Sequence, residues 1–246
     1  MTVKRSHLAC LALLSGALLA PQARGAEATE LAPFKESAPE APAPWGFIGL
    51  PGQTKPKTRF SIVEIDGRKA VRVEAQESYG NIVHPLKFSG PKASLSWQWK
   101  VETPIPAADL RTRQGDDTAV KVCVFFDMPL DLVPFVERQL QKIAQSKTTD
   151  PLPNATVCYV WDNALPVGTE LDNAFTRRMR YIVLESGPAK IGQWKSEKRN
   201  VMADFTKLFG AESPKVPPVM GIAIGADADN TKSRSVSYVA NIQLDP

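Results

Sequence analysis

The sequence predicts an all-β fold, a two-sheet β-sandwich of jelly-roll type with one or two short peripheral helices. Three observations predict it. Leu95, Trp97, Trp99 and Val101 alternate with Ser94, Ser96, Gln98 and Lys100, the two-residue period of a half-buried strand. Asp66-Gly67 separates two β-rich runs between Phe60 and Ala75, and an Asp-Gly pair supplies the positive backbone angles of a tight hairpin. Roughly ten short strands punctuated by turn residues fill the remainder, as sandwiches require.

Residues 1–25 read as an export signal. Lys4 and Arg5 precede an uncharged apolar stretch over 8–20, and Ala23-Arg24-Gly25 offers small residues for cleavage after Gly25. A membrane span needs about 18 consecutive apolar residues. Ser15 and Gly16 interrupt this shorter run and Pro21 ends it, so no span is expected after cleavage. Cys10 lies inside the apolar stretch rather than at its end, which argues against lipidation. The expected location is periplasmic or secreted. Loss of Lys4, Arg5 and Arg24, with no acid among residues 1–25, lowers the formal charge from +4 to +1. A near-neutral chain gives no electrostatic reason to expect nucleic acid as a partner.

Residues 26–44 are read as a tether, because the alanine and proline enrichment over 32–44 resists helix and ladder formation. Residues 45–246 then form a single sandwich domain. Val236, Tyr238, Ala240, Ile242 and Leu244 alternate against Ser235, Ser237, Asn241 and Gln243, with Val239 the exception. The runs 120–126, 181–184 and 219–224 carry apolar residues on both faces, so they belong at the centre of a sheet or under cover. The expected inter-sheet core is Leu95, Trp97, Trp99, Val101, Val122, Val124, Phe126, Ile182, Leu184, Ile222, Ile224, Tyr238 and Ile242. Helical spacing of Leu132, Val133, Val136, Leu140 and Ile143 predicts one helix between Pro129 and Ser146. Met202, Phe205, Leu208 and Phe209 predict another before Gly210.

Two cysteines remain after the leader, Cys123 and Cys158. In an exported chain that count permits one disulfide, the alternative being two buried thiols. If residues 120–126 and 157–161 are antiparallel neighbours, the two sulfurs face each other with Cα atoms inside about 7 Å.

Several segments resemble a bacterial exported family, domain of unknown function 3047. The resemblance rests on residues 95–101 (LSWQWKV), on Asp109-Leu110-Arg111 followed by Gly115-Asp116-Asp117, and on Tyr159-Val160-Trp161 followed by residues 165–169 (LPVGT). It continues through Ser186-Gly187-Pro188 and ends at residues 227–231 (DADNT). It implies a fold and a compartment and carries no activity. Residues 128–154 look longer than the family's usual connection.

No motif names a reaction. His84 is the one histidine beyond the leader, and it precedes Pro85 in a strand-like run, where a hydrogen-bonded structural histidine is expected rather than a catalytic base. Neither a Gly-x-Ser-x-Gly elbow nor a His-Glu-x-x-His pair occurs. The chemistry-bearing groups are acids at strand ends. Asp116, Asp117, Asp162 and Asn163, with Trp161 as an indole platform, are the ligand-binding candidates; the ordinary alternatives are acids bonded to their own backbone in turns and a tryptophan packed under a loop. Asp227, Asp229 and Asn230 alternate in a way that could wrap a calcium ion, which takes six to eight oxygens, the competing reading being a hydrogen-bonded Asx turn that holds the following strand. Arg177, Arg178 and Arg180 read as a solvated edge with no ligand role.

Antiparallel pairing of the two cysteine strands should bring Asp116 and Asp117 to Asp162, Asn163 and Trp161; if Asp227, Asp229 and Asn230 also converge there, several carboxylates share one rim. The reading is a non-catalytic binding or structural module for a glycan or other small polar ligand. The rival readings are a glycan hydrolase or lyase using paired rim carboxylates, and an envelope-protein interaction module presenting Leu132, Val136 and Leu140.

Overall fold

The structure, a computed structural model, describes residues 30–245. The expected leader therefore lies outside the described residues. Among them, no helix is long and apolar enough to cross a membrane. In chain order the strands are β1 (Gly46–Ile48), β2 (Arg59–Ile65), β3 (Arg68–Gln76), β4 (Tyr79–Phe88), β5 (Ser94–Thr103) and β6 (Thr118–Phe126). They continue as β7 (Ala155–Asp162), β8 (Glu170–Asp172), β9 (Met179–Ser186), β10 (Lys195–Asn200), β11 (Val219–Asp227) and β12 (Arg234–Asp245). Helix α1 (Phe135–Gln145) lies between β6 and β7, and α2 (Val201–Phe209) follows β10.

A seven-stranded sheet, β1-β4-β11-β6-β7-β9-β8, faces a five-stranded sheet, β10-β5-β12-β3-β2. The chain changes sheet repeatedly, which gives the jelly-roll sandwich. The β2–β3 hairpin turns on Asp66 and Gly67 at φ 50° and 70°, as the Asp-Gly pair requires. Every named pair is antiparallel except β7 and β9. Helix α2 starts on Asn200, whose side chain accepts from the Ala203 amide, satisfying one of the unpaired first-turn donors.

The inter-sheet core holds the expected apolar residues with one exception. Trp97 packs on Tyr159 and Trp99 on Trp161, with ring centroids 5.2 Å and 6.0 Å apart. Tyr238, expected among them, faces outward with Ala70, Val236 and Ala240. The cause is local: Asn241 adopts φ 50° and the β12–β5 register slips between Ala240 and Gln243. Such a bulge reverses the inward face, so Val239, Ile242 and Leu244 fill the core instead.

Residues 31–44 are not a free tether. Phe34 and Trp45 are buried with ring centroids 5.2 Å apart, and Ala38 pairs with Ile62. His84 anchors the segment: its Nε2 accepts the Ala32 amide at 3.0 Å, which leaves Nδ1 to donate to Pro85 O at 2.9 Å. Burial lowers its pKa from the ordinary value. A structural histidine is what the strand position predicts.

The arginine group is also corrected. Arg178 and Arg180 are buried, and both reach Glu212, just beyond α2; the Arg180 guanidinium lies 4.0 Å from the Phe209 ring centroid. They fasten the end of α2 to β9 rather than lining a solvated edge.

Candidate functional site on the large sheet

Strands β6 and β7 run antiparallel with Cys123 opposite Cys158, and the two are bridged with Cα atoms 4.0 Å apart. The bridge sits on the outer face of the seven-stranded sheet, in a cluster with Leu110, Val160, Tyr181 and Val183. That face is covered, which explains why β6 carries apolar residues on both sides. One residue in the run is not apolar. Lys121 is buried, and a buried ammonium needs a partner.

The partner comes from β11. Its last residue, Asp227, lies opposite Thr118. Asp227 Oδ1 accepts the Thr118 amide at 2.7 Å and its hydroxyl at 2.6 Å, while Oδ2 accepts Lys121 Nζ at 2.8 Å. Burial would push the Lys121 pKa down, but the Asp227 carboxylate and its hydrogen bond hold it above the ordinary value. The ammonium also lies 4.9 Å from the Tyr79 ring centroid.

The two neighbouring acids divide their work. Asp117 ties the loop after β11 to the start of β6: its Oδ2 accepts the Thr231 amide and hydroxyl at 2.7 and 2.6 Å, and its Oδ1 accepts the Asn230 amide at 3.2 Å. Asp116 turns the other way and accepts from Asn173 Nδ2 at 2.5 Å and from the Tyr181 hydroxyl at 3.3 Å. Burial, reinforced by the charge of Asp227, raises its pKa to about 6; Lys121, Asn173 and Tyr181 offset only part of this. Asp229 completes the group, its pKa raised by burial and then by Asp227 and Asp117. Its Oδ2 lies 3.7 Å from Lys55 Nζ, and its side chain is only 9% exposed. Its Oδ1 is buried and accepts no hydrogen bond from any described residue.

Lys121, Asp116, Asp227, Asp229, Tyr79 and Asn173 line a cleft of 450 Å³, with residues 50–55 and Phe175 among its other walls. Of the three segments, residues 116–117 and 227–230 converge, while the expected meeting of 116–117 with 161–163 does not occur. The third does not line the cleft. Asp162 Oδ1 accepts the amides of Ala164 and Leu165 at 2.8 and 2.6 Å, closing its own turn, and Asn163 donates to Ile105 O. Trp161 is 4% exposed and packs inward in the sandwich core, so it offers no rim platform.

Calcium does not suit this donor set. Both Asp227 oxygens are engaged by Thr118 and Lys121, and those of Asp117 by Asn230 and Thr231. An internal ammonium thus holds the position a cation would take. Among the described residues, no group of three His, Cys, Asp or Glu is arranged to hold a metal ion.

The cleft residues that sequence reasoning missed are Lys121, Tyr79, Asn173 and Tyr181. Lys121 left a signal: a lone lysine inside the apolar run 118–126 demands a buried carboxylate elsewhere in the chain.

The family model described as protein of unknown function (DUF3047) matches residues 43–243. None of the curated proteins matches the chain. Among solved structures, it is similar to the xyloglucanase domain of NopAA, a type three effector from Sinorhizobium fredii, in complex with cellobiose. The TM-score is 0.41 at 9% identity, covering 82% of this chain and 98% of that one. It is also similar to the Trichoderma harzianum family GH12 endoglucanase 3, with TM-score 0.38, 11% identity and 83% and 98% coverage. TmCBM61 in complex with β-1,4-galactotriose gives 0.35, 9%, 82% and 88%. At these TM-scores the likenesses bear on neither activity nor ligand.

Proposed function

The chain belongs to the DUF3047 family, and we propose that it is an exported binding module whose cleft over Lys121 and Asp227 takes a glycan or another small polar ligand. Asp229 carries the reading. Its Oδ1 is buried beside the cleft without a donor, and an unsatisfied buried acceptor costs about 1–3 kcal/mol. A ligand hydroxyl is the neutral donor that relieves it. Asp116 offers a second acceptor, and Tyr79 and Phe175 add aromatic surface to the same cleft, the mixed lining that carbohydrate faces favour. The disulfide supports an oxidising compartment, in keeping with the expected leader.

Calorimetry against neutral tetrasaccharides of the gluco, galacto and N-acetylglucosamine series tests the reading. At least one series binds the parent, and Asp229→Ala weakens it about tenfold or more without lowering the melting temperature. Absence of binding in every series, or an Asp229→Ala variant that binds like the parent, sinks it.

Hydrolysis is the second reading, favoured by one observation: Asp116 keeps its proton to about 6, as a general acid must. Its natural partner, Asp227, is instead neutralised by Lys121. Release of reducing sugar by the parent but not by Asp116→Asn would move the protein to that class.

A further inference from the structure

Beside the polar cleft, on the same outer face of the large sheet, lies a second cavity of 340 Å³. The two share Leu50, Pro51, Tyr79, Phe175, Thr176 and Met179, so they form one groove with two chemistries. The first half ends on Asp116 and Asp229. The second is walled by Ile48, Phe125 and Leu152 and by Leu140 of α1. Arg178 also borders that half; Glu212 at 2.7 Å and Glu137 at 3.7 Å answer its charge, while its Nε and Nη2 are buried without a hydrogen-bond acceptor, so the half calls for no net charge but keeps two polar donors in its wall.

Helix α1 is turned inside out. Its polar side bonds the segment that follows it and one residue of the sandwich: Gln141 donates to Pro153 O at 2.9 Å and Gln145 to Asp150 O at 2.9 Å, and Glu137 accepts from the Thr176 hydroxyl at 3.3 Å. Its apolar side is left to solvent, with Phe135, Val136, Leu140 and Ile143 exposed by 70%, 68%, 52% and 56%. Exposed apolar surface of this extent beside a cavity marks a binding surface.

The unmet demands at the two ends identify the occupant. A free sugar leaves the apolar half wet, whereas a bare hydrocarbon leaves Asp229 Oδ1 buried without a donor. We propose that the groove takes a single-chain amphiphile of the glycolipid class, its polyhydroxy head over Asp116 and Asp229 and its hydrocarbon chain running along Leu140. The proposal rests on the polar-ligand reading above and adds the chain.

The probes are n-alkyl β-D-glucosides from hexyl to nonyl, each below its micelle concentration, titrated calorimetrically into the protein. Burial of a methylene is worth about fourfold in affinity, and the parent should show that increment along the series. Leu140→Gln, an exposed helix substitution, should lower the increment to about twofold or less while the melting temperature holds. Asp229→Ala should weaken every member by a common factor and leave the increment intact.

A flat series in the parent, or one that Leu140→Gln leaves unchanged, overturns the proposal. So does a parent that sediments as a dimer while Leu140→Gln sediments as a monomer, because a second copy would then cover the face. The two readings fail separately. Tetrasaccharide binding with a flat glucoside series leaves the polar-ligand reading standing without the chain. An increment that persists while Asp229→Ala changes nothing removes the polar head contact.

Discussion

Strands β5 and β6 lie on facing sheets, and their burial differs. From Leu95 to Val101, β5 buries every second residue, whereas β6 buries eight of its nine. On the outer face of the five-stranded sheet Ser96, Gln98 and Lys100 of β5 are half-buried, beside a small apolar cluster of Ala70, Val236, Tyr238 and Ala240. The outer face of β6 carries Lys121 and Cys123 and must be covered. It is covered by packed residues such as Leu110 over one part and borders the groove over another. What sets β6 apart is the buried lysine inside it, which borders the cleft.

Substitutions on the two faces sharpen this contrast. The largest effect is expected inside the sandwich: Trp99→Ala removes a fully buried indole and should cost about 3–5 kcal/mol in denaturant unfolding. Unchanged unfolding would place Trp99 outside the core and break the account of β5. On the outer face of the large sheet, the disulfide closes a sequence separation of 35. Replacing both cysteines by alanine should cost about 3–4 kcal/mol. Free thiols titrating in the folded parent would remove that basis.

The smallest effect has the opposite sign. Asp116 binds its proton more tightly folded than unfolded, its pKa rising from 3.8 to about 6. Its contribution to stability is therefore best below about pH 4, declines as pH rises through about 6, and is constant above. Asp116→Asn should flatten that decline and stabilise the protein above pH 6, on the order of 2 kcal/mol. A variant with the parent's pH profile would show Asp116 to be ordinarily ionised.

Local pattern made the fold legible. The alternation in β5, the Asp-Gly hairpin and both helices follow from spacing or turn chemistry, whereas the β6–β7 pairing was a condition that the structure meets. The face of β12 was misread because one residue, Asn241, changes its phase, and a bulge leaves the composition of a strand unaltered. The site was half legible for a related reason. Asp117 and Asp162 look alike as acids flanking apolar runs, yet Asp162 bonds two and three residues ahead while Asp117 reaches Thr231, 114 residues away. Partners at that distance in sequence are chosen by the topology of the sheets. The same holds for Lys121 and Asp227, 106 residues apart, and for the packing of Trp161 against Trp99.

The contrast between the two outer faces can be measured directly by titrating n-octyl β-D-glucoside, below its micelle concentration, into isotopically labelled protein and following amide shifts residue by residue. The account predicts shifts at Tyr79, Lys121, Asn173 and Asp229 on the large sheet, extending to Leu140 in α1, with Trp194 and Tyr238 on the small sheet unmoved. Shifts centred on Trp194 and Tyr238, or none at the groove, would contradict it.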